Sequence, residues 1–319
     1  MGVAKFVVRR CAVGVLTIFV VSLLVFVLTR VLGDPAAAIL GPRARQPEVL
    51  SAKRSELGLD RSLVSQYGEW LRGLISGEPG NSYIDGRPIR DDMLSRVGNS
   101  MVLMAVAAIL AVPLSILIGV RAAVRRDRLF DSVTNVATLV LVALPEFLIA
   151  ILLLMAFSIG VFEFLPATSS VRGDVRPWND LDGMILPSIT MALLAVPYVV
   201  RSMRASMMEV LDSDYVAAAR MNQLSSRQVV WHQAWPNALP PTLQVIALSL
   251  TYIAGGAVVV EAVFNYPGIG TGLVEAITTH DVPVVQFIAM FISSLFVACN
   301  VAADVGTVLL TPRLRTRLT

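Results

Sequence analysis

Long apolar runs constrain the fold of this chain more than any other feature of its sequence. The first, residues 11–29, reads CAVGVLTIFVVSLLVFVLT and carries no charge. A helix of roughly 20 apolar residues crosses the hydrocarbon core of a bilayer. The sequence therefore predicts an all-α polytopic membrane protein with six transmembrane helices. The five further runs that are long enough are 97–120, 132–162, 183–200, 238–260 and 282–311.

The composition supports this class. Only 15% of the residues are charged and the mean hydropathy is +0.71, whereas soluble domains carry about 25% charged residues. A cleaved signal peptide has an apolar core of about 7–15 residues, which is shorter than the first run. Cys11 and Cys299 lie in apolar runs, and His232 and His280 form no cluster with them. We therefore expect neither a disulfide framework nor a metal site.

Basic residues beside the runs predict the orientation, because short cytoplasmic segments carry an excess of Lys and Arg. With six spans, both termini lie on one side of the membrane. Residues 1–32 hold the N-terminal end and the first span, and residues 312–319 form a basic tail suited to the anionic inner leaflet. The outer segment 264–281 has no Lys or Arg. Both termini are therefore expected in the cytoplasm, with these inner basic residues: Lys5, Arg9, Arg10, Arg121, Arg125, Arg126, Arg128, Arg201, Arg204, Arg220, Arg227, Arg313, Arg315 and Arg317.

Residues 33–96 are the longest polar stretch, and this orientation makes them a small helical extracytoplasmic region after the first span. Their sequence includes SLVSQYGEWLRGLIS. Apolar residues recur in it at helical spacing, which predicts packing against a neighbouring element rather than a binding site. The residues of this stripe are Leu63, Tyr67, Trp70, Leu71 and Leu74.

Residues 201–237 form a polar segment between the fourth and fifth runs. Residues 212–214, DSD, are expected to start one short helix, and Ser225 with Gln228 fits a capping box that starts a second. The pattern predicts a helix–turn–helix elbow at 212–237. It is typical either of an interfacial amphipathic helix or of a docking element for a cytoplasmic partner. The prolines expected to break the second helix before the next span are Pro236, Pro240 and Pro241.

The stretch DYVAAARMNQLSSRQVVWHQAWPNALPP resembles the inner-loop signature of binding-protein-dependent ABC importer permeases. That signature runs Glu-Ala-Ala, three residues, Gly, nine residues, Ile, one residue, Leu-Pro. Three positions match it: Ala218, Ala219 and Pro236. Four positions depart from it: Ala217, Gln223, Gln233 and Trp235. Because Gln223 stands where the signature has Gly, the turn is expected to be looser, or to be carried by Asn222.

Other stretches, such as PYVVRSMRASMMEVLDSDYV and GGAVVVEAVFNYPGIGTGLVEAI, are similar to the dipeptide/oligopeptide ABC transporter permease subfamily over essentially the whole chain. This resemblance implies the type I ABC importer permease fold for residues 97–311, in the cell membrane of a prokaryote. It implies a second homologous permease subunit, two cytoplasmic ATP-binding subunits that hold ATP and Mg, and an extracytoplasmic protein that delivers peptide. Similar permeases carry nickel chelates or haem, so the cargo stays open.

The candidate site residues fall into three groups. For ATPase docking at the elbow they are Tyr215, Ala218, Ala219, Arg220, Gln223, Leu224 and Ser225. For the translocation path or its gate they are Asn135, Pro145, Glu146, Glu261 and Asn300. For contact with the binding protein, in an outer stretch expected to be a re-entrant or surface loop, they are Tyr266, Pro267, Gly268 and Gly270.

Other function classes fit the sequence less well. A P-loop needs a Lys in G-x-x-x-x-G-K-[ST], and neither Lys5 nor Lys53 lies in that motif. Energy is therefore expected from a partner or from an ion gradient, and an ion-driven secondary transporter would use an intramembrane carboxylate such as Glu146 or Asp304. A hydrolase is disfavoured because the two histidines are expected on opposite sides of the membrane. No folded basic module suggests nucleic-acid binding.

Overall fold

The computed structural model describes residues 3–30, 33–160, 164–169 and 177–310. Within these ranges the chain is all-helical, as predicted. The helices are α1 (Val3–Leu28), α2 (Pro35–Leu40), α3 (Pro47–Glu56), α4 (Leu63–Ser76), α5 (Ile89–Val124), α6 (Leu129–Ala143), α7 (Glu146–Leu154), α8 (Leu181–Leu211), α9 (Asp214–Met221), α10 (Ser226–Gln228), α11 (Trp235–Val263), α12 (Ile269–Thr279) and α13 (Val282–Leu310). Short 3-10 segments occupy Gly41–Arg45 and Pro177–Asn179, and π-helical segments occupy Met155–Ile159 and Val229–Ala234.

Five described helices are long and apolar enough to cross a membrane, and α6 with α7 makes a sixth if this bent pair is one span. Several extend beyond the predicted runs: α5 begins at Ile89 rather than at 97, and α8 continues to Leu211 rather than ending at 200. Backbone hydrogen bonds hold a helix together whether its side chains are apolar or polar. A helix can therefore continue past the end of its apolar run. The predicted fold class is confirmed.

The third predicted run, 132–162, forms a bent pair of helices rather than one straight helix, and its residues 161–162 lie outside the described part of the chain. α6 and α7 are bent by 107° at the break between them. Leu144 at the break is extended, with φ −84° and ψ 131°, and Pro145 follows it. A residue before proline is pushed out of the helical region by the pyrrolidine ring, and proline offers no N–H to the helix. Pro145 therefore ends α6 and restarts the chain in a new direction.

α8 lies at the centre of the bundle, where it packs between α5 and α11. Its close approach to α5 depends on Gly119. A Cβ atom there would lie 2.7 Å from the Cβ of Met203 and 2.9 Å from the carbonyl oxygen of Val200. Small residues let membrane helices approach closely, and packing is the main attraction between helices in lipid.

α1 and α13 run antiparallel along the side of the bundle. Near one end, Arg10 Nε lies 3.2 Å from Asp304 Oδ2. At the other end, Gln286 Nε2 donates to Thr29 Oγ1 at 2.8 Å. We call the end that carries residues 201–237 the elbow end and the opposite one the far end.

The far end holds the helical region 33–96. In α4, the rings of Tyr67 and Trp70 lie 5.3 and 5.9 Å from the ring of Phe26 on α1, and the Tyr67 hydroxyl is 2.8 Å from Ser22 Oγ. Leu63, at the start of the same stripe, is exposed. The aromatic part of the stripe thus packs against the first span.

Candidate functional site

The elbow is a tight reversal between α9 and α10. After α9, the backbone N–H of Gln223 donates to the carbonyl of Arg220 at 3.1 Å, and that of Leu224 donates to the carbonyl of Ala219 at 3.4 Å. Gln223 has φ 59°. This pair of bonds with one left-handed residue is a Schellman motif, which satisfies the last carbonyls of a helix.

Gln223 therefore takes the conformation that glycine would take at the same position. The alternative that Asn222 carries the turn is wrong, because Asn222 has φ −77°. The turn is as tight as a Schellman motif requires, so the expectation of a looser turn is wrong as well. Gln223 is strained in this left-handed conformation, because its Cβ atom comes close to the backbone.

Gln223→Gly is expected to stabilise the elbow by about 1 kcal/mol, because glycine adopts positive φ without the Cβ clash. Backbone hydrogen exchange at 219–225 in the purified protein measures this, and the amides should be protected several-fold more strongly. Asn222→Gly is the matched control: at negative φ, glycine adds only flexibility, so protection should fall. Equal changes in both variants would contradict the assignment of strain to Gln223.

A capping box starts the second arm of the elbow, as predicted. The backbone N–H of Gln228 donates to Ser225 Oγ at 3.3 Å, and that of Ser225 donates to Gln228 Oε1 at 3.0 Å. These bonds satisfy two donors at the helix start. The elbow is thus fixed by a Schellman motif on one side and a capping box on the other.

Ser225→Ala is expected to cost about 1 kcal/mol locally, because it removes the capping oxygen. Hydrogen exchange of the Gln228 amide should accelerate about fivefold. Ser226→Ala, one residue along and also exposed, leaves the box intact and serves as the control. An unchanged Gln228 exchange rate in Ser225→Ala would show that the box does not hold this arm.

The prolines after the elbow do not break the helix, and that prediction was wrong. The chain is helical from Ser226 to Val263, through the π-helical segment Val229–Ala234. Pro236 lies in the first turn of α11, where proline is tolerated. One residue further along, Asn237 Nδ2 donates to the carbonyl of Gln233 at 2.7 Å.

The seven docking candidates lie together around this reversal. All are exposed except Ala219, which is half-buried. Tyr215 is 45% exposed and Leu224 is 37% exposed. Val216, on the opposite face of α9, is fully buried and points back to the bundle. The elbow therefore presents small, aromatic and basic side chains outward from a fixed backbone, as a docking element would.

One ion pair and an apolar cluster attach the elbow to the bundle, and a second ion pair lies beside them within the bundle. Arg126 Nη1 lies 3.0 Å from Asp212 Oδ2 where α9 is about to begin. Within the bundle, Arg204 of α8 forms a two-pronged pair with Asp131 of α6, at 2.5 Å from Nε and 2.7 Å from Nη2. The apolar cluster comprises Val120, Ala123, Met203, Met207, Ala234 and Ala238. A displacement of the elbow is therefore transmitted directly to α5, α8 and α11.

The structure does not bring the five path candidates together in one site. Asn135 donates to Asp131 at 3.2 Å and supports the elbow-end ion pair. Asn300 donates to its own helix, at the carbonyl of Phe296. Pro145 and Glu146 lie at the bend between α6 and α7. Glu261 lies buried towards the far end.

Glu261 is held by hydrogen bonds from two other elements. Ser100 Oγ donates to Oε1 at 2.6 Å, and the backbone N–H of Gly270 donates to Oε2 at 2.6 Å. A Cβ atom on Gly268 would lie 2.3 Å from the carboxyl carbon. The carboxylate is thus a structural link between α5, α11 and the start of α12.

This link contradicts the surface-loop alternative for the stretch around FNYPGIG, whereas the re-entrant alternative stays a prediction. Tyr266, Gly268 and Gly270 are buried and Pro267 is half-buried, because the carboxylate of Glu261 draws the glycine backbone onto the bundle. Burial, with the nearby Glu261 carboxylate, raises the pKa of the Tyr266 phenol. Only Pro267 of the four candidates offers a partly open surface to a binding protein, so the other three are unsuited to that contact in this arrangement.

The partners of these buried groups are distant in the sequence and were not predictable from it. Asp131 and Arg204 are 73 positions apart, and Ser100 and Glu261 are 161 apart. Asp131 stands four residues before Asn135, a helical neighbour that hinted at a polar face. At the far end, buried Asp281 accepts from Ser82 Oγ at 2.5 Å and from the backbone N–H of Tyr83 at 3.1 Å, and no sequence signal indicated this.

Comparison with known proteins gives consistent matches along the chain. Residues 111–316 match the family described as binding-protein-dependent transport system inner membrane component, and residues 3–87 match the N-terminal region of such membrane components. A relative from Brucella abortus (strain 2308), named for peptide transport system permease function, is 36% identical over 310 residues, covering 97% of this chain and 98% of the relative. The glutathione transport system permease protein GsiC of Escherichia coli (strain K12) is 32% identical over 312 residues, covering 98% and 99%. A peptide ABC transporter permease protein of Sinorhizobium fredii is 34% identical over 318 residues, covering 99% and 100%.

Proposed function

The chain belongs to the family of binding-protein-dependent transport system inner membrane components, and from this premise we propose that it is the peptide-importing subunit of an ATP-driven transporter. Two relatives are named for peptide transport and a third for glutathione transport, and glutathione is itself a tripeptide. Di- or oligopeptides are therefore the cargo class that we propose. The chain would supply half of the translocation path.

The observation that carries the mechanism is the rigid, outward-facing elbow. Its exposed side chains suit a cleft in an ATP-binding subunit, and its ion pair with Arg126 and the apolar cluster around Ala234 join it to the bundle. Closure of two ATP-binding subunits around ATP and Mg would push the elbow, and the spans would move with it between inward-facing and outward-facing states. Energy would enter through the elbow, because the sequence has no P-loop of its own.

We infer the partners and the orientation from the same premise. A second homologous permease would complete the path, and an extracytoplasmic binding protein would deliver the peptide at the far end. The elbow and both termini would lie in the cytoplasm. The basic residues at the elbow end support this orientation, because positive charge is favoured on the cytoplasmic side.

Purification of this chain with the proteins that co-assemble with it tests the proposal. The complex, reconstituted into liposomes with its binding protein, is expected to hydrolyse ATP and to take up radiolabelled di- or oligopeptides from a panel that also contains a nickel chelate and haem. Uptake of only the chelate or haem would overturn the peptide cargo. Uptake without ATP, abolished by a protonophore, would instead establish an ion-driven transporter.

A further inference from the structure

Glu146 differs from the other carboxylates predicted within the apolar runs. Glu261 accepts two hydrogen bonds, and Asp304 is paired with Arg10. Glu146 is half-buried at the first turn of α7, and its carboxylate has no hydrogen bond or ion pair with any described residue. It follows α6, whose 15 residues span about 22 Å, and so it lies near the middle of the bent α6–α7 pair, a candidate membrane span.

Two helices form the wall beside this carboxylate. A Cβ atom on Gly256 of α11 would lie 3.3 Å from Glu146 Oε2 and 2.6 Å from Leu194 Cδ1 on α8. The glycine thus leaves a notch in which the carboxylate rests against α11. Since α8 and α11 run in opposite directions, Leu194 and Gly256 define one level of the bundle from which both helices can be followed towards the elbow end.

One helical turn towards the elbow end, an aromatic pair lies on the same wall. Tyr198 lies four residues after Leu194, and Tyr252 lies four residues before Gly256, so each is about 6 Å further along its helix. Their rings are stacked, with centroids 5.2 Å apart and an angle of 18° between the planes. Tyr252 is 54% exposed, and neither hydroxyl has a hydrogen bond within the described part of the chain.

These groups are costly to expose to lipid. An ionisable side chain within a membrane span faces the interior of a bundle or a water-filled cavity, and it marks an ion or substrate pathway. An unpaired hydroxyl in hydrocarbon also costs free energy. Glu146 and the two tyrosines of the wall, Tyr198 and Tyr252, therefore face the translocation path rather than lipid.

We propose that this wall is a transient binding site for the primary ammonium group of the peptide in transit. A carboxylate offers the ammonium a charge-assisted hydrogen bond in place of its lost water, and aromatic faces within about 6 Å attract the same cation. The proposal rests on the proposed peptide transport and adds the chemical group that the path recognises. The site lowers the barrier for that group to cross the bilayer.

Variants of the reconstituted complex test the site. Glu146→Gln is expected to lower uptake of a peptide with a free amino terminus about tenfold and to change uptake of its N-acetylated form less than twofold. Glu146→Asp, which keeps the charge, should retain most of the uptake. Tyr252→Leu should lower uptake of the free peptide several-fold, whereas Tyr252→Phe should not. Glu48→Gln, at an exposed carboxylate of α3, is the matched control and should leave both rates unchanged.

Photo-labelling distinguishes a peptide-binding role of Glu146 from a purely structural one. A dipeptide with a photoreactive first residue should label segments of α7, α8 or α11 in the wild-type complex, and several-fold less in Glu146→Gln or when its amino group is acetylated. Equal labelling in all cases would overturn the site. Equal loss of uptake for both peptides, together with loss of the second permease from the complex, would show that Glu146 pairs with a basic group of that subunit instead. A wild-type complex that imports no peptide would overturn the proposed cargo. It would also overturn the peptide ammonium group as the ligand of this site.

Discussion

Replacing Arg204 with methionine is expected to destabilise the folded protein by about 3–5 kcal/mol, because the change leaves a buried carboxylate without its counter-charge. Asp131 is 3% exposed. Besides the two bonds from Arg204, its oxygens accept the backbone N–H of Asp127 at 3.1 Å and Nδ2 of Asn135 at 3.2 Å. The neutral donors that remain in the variant do not replace a two-pronged guanidinium.

Thermal unfolding of the detergent-purified subunit measures the effect, and Tm should fall on the order of 10 °C. Arg126→Met is the matched control. Its ion pair with Asp212 is exposed on both sides, and pairs of this kind contribute about 0–1 kcal/mol. The two arginines lie at the same end of the bundle, so a difference between the variants reports burial rather than loss of positive charge near the lipid.

The double variant Arg204→Met with Asp131→Leu distinguishes a broken pair from lost packing. Removing both charges leaves no buried ion, so stability should return to within about 1–2 kcal/mol of the wild type. Strictly additive losses in the double variant would contradict the view that the two side chains act as one pair.

The spans were predictable from sequence because apolar length alone specifies a membrane helix. The bend in the third run was only partly predictable. Pro145 indicated an interruption of the helix. Proline alone is not sufficient, however, because Pro113, Pro187 and Pro197 lie inside continuous helices. A membrane helix tolerates proline when neighbours satisfy the freed carbonyls, and those neighbours are distant in the sequence. At Leu144–Pro145 the chain turns instead, with Leu144 in an extended conformation.

The candidate sites also contain some features that local sequence predicts and others that depend on distant residues. The capping box at Ser225 is local, and its spacing was sufficient to predict it. The left-handed conformation of Gln223 was not predictable from residue preference, because the tertiary requirement for a reversal overrides the preference for glycine. The burial of Tyr266 depends on Glu261, Ser100 and Gly270 meeting from three elements, which a single sequence does not reveal.

Ala218→Glu is expected to lower ATP-driven peptide uptake about a hundredfold while leaving the subunit in the membrane at its normal level. Ala218 is exposed on α9, beside Tyr215 and Arg220. A longer acidic side chain there would hold a docked partner away, or would be buried against it without a counter-charge, and either effect costs several kcal/mol of association. Ala219 is less suitable, because it is half-buried and its carbonyl closes the Schellman turn.

Peptide uptake and ATP hydrolysis are both measured in the same proteoliposomes. If α9 docks the ATPase, the variant should lose peptide-stimulated hydrolysis together with uptake, and hydrogen exchange at 219–225 should stay as in the wild type, because glutamate is a good helix former. Ala52→Glu places the same side chain on an exposed alanine of α3 at the far end and should leave uptake unchanged. Normal coupling in Ala218→Glu would show that α9 does not enter the partner. The elbow would then be an interfacial amphipathic helix, the alternative that its sequence pattern leaves open.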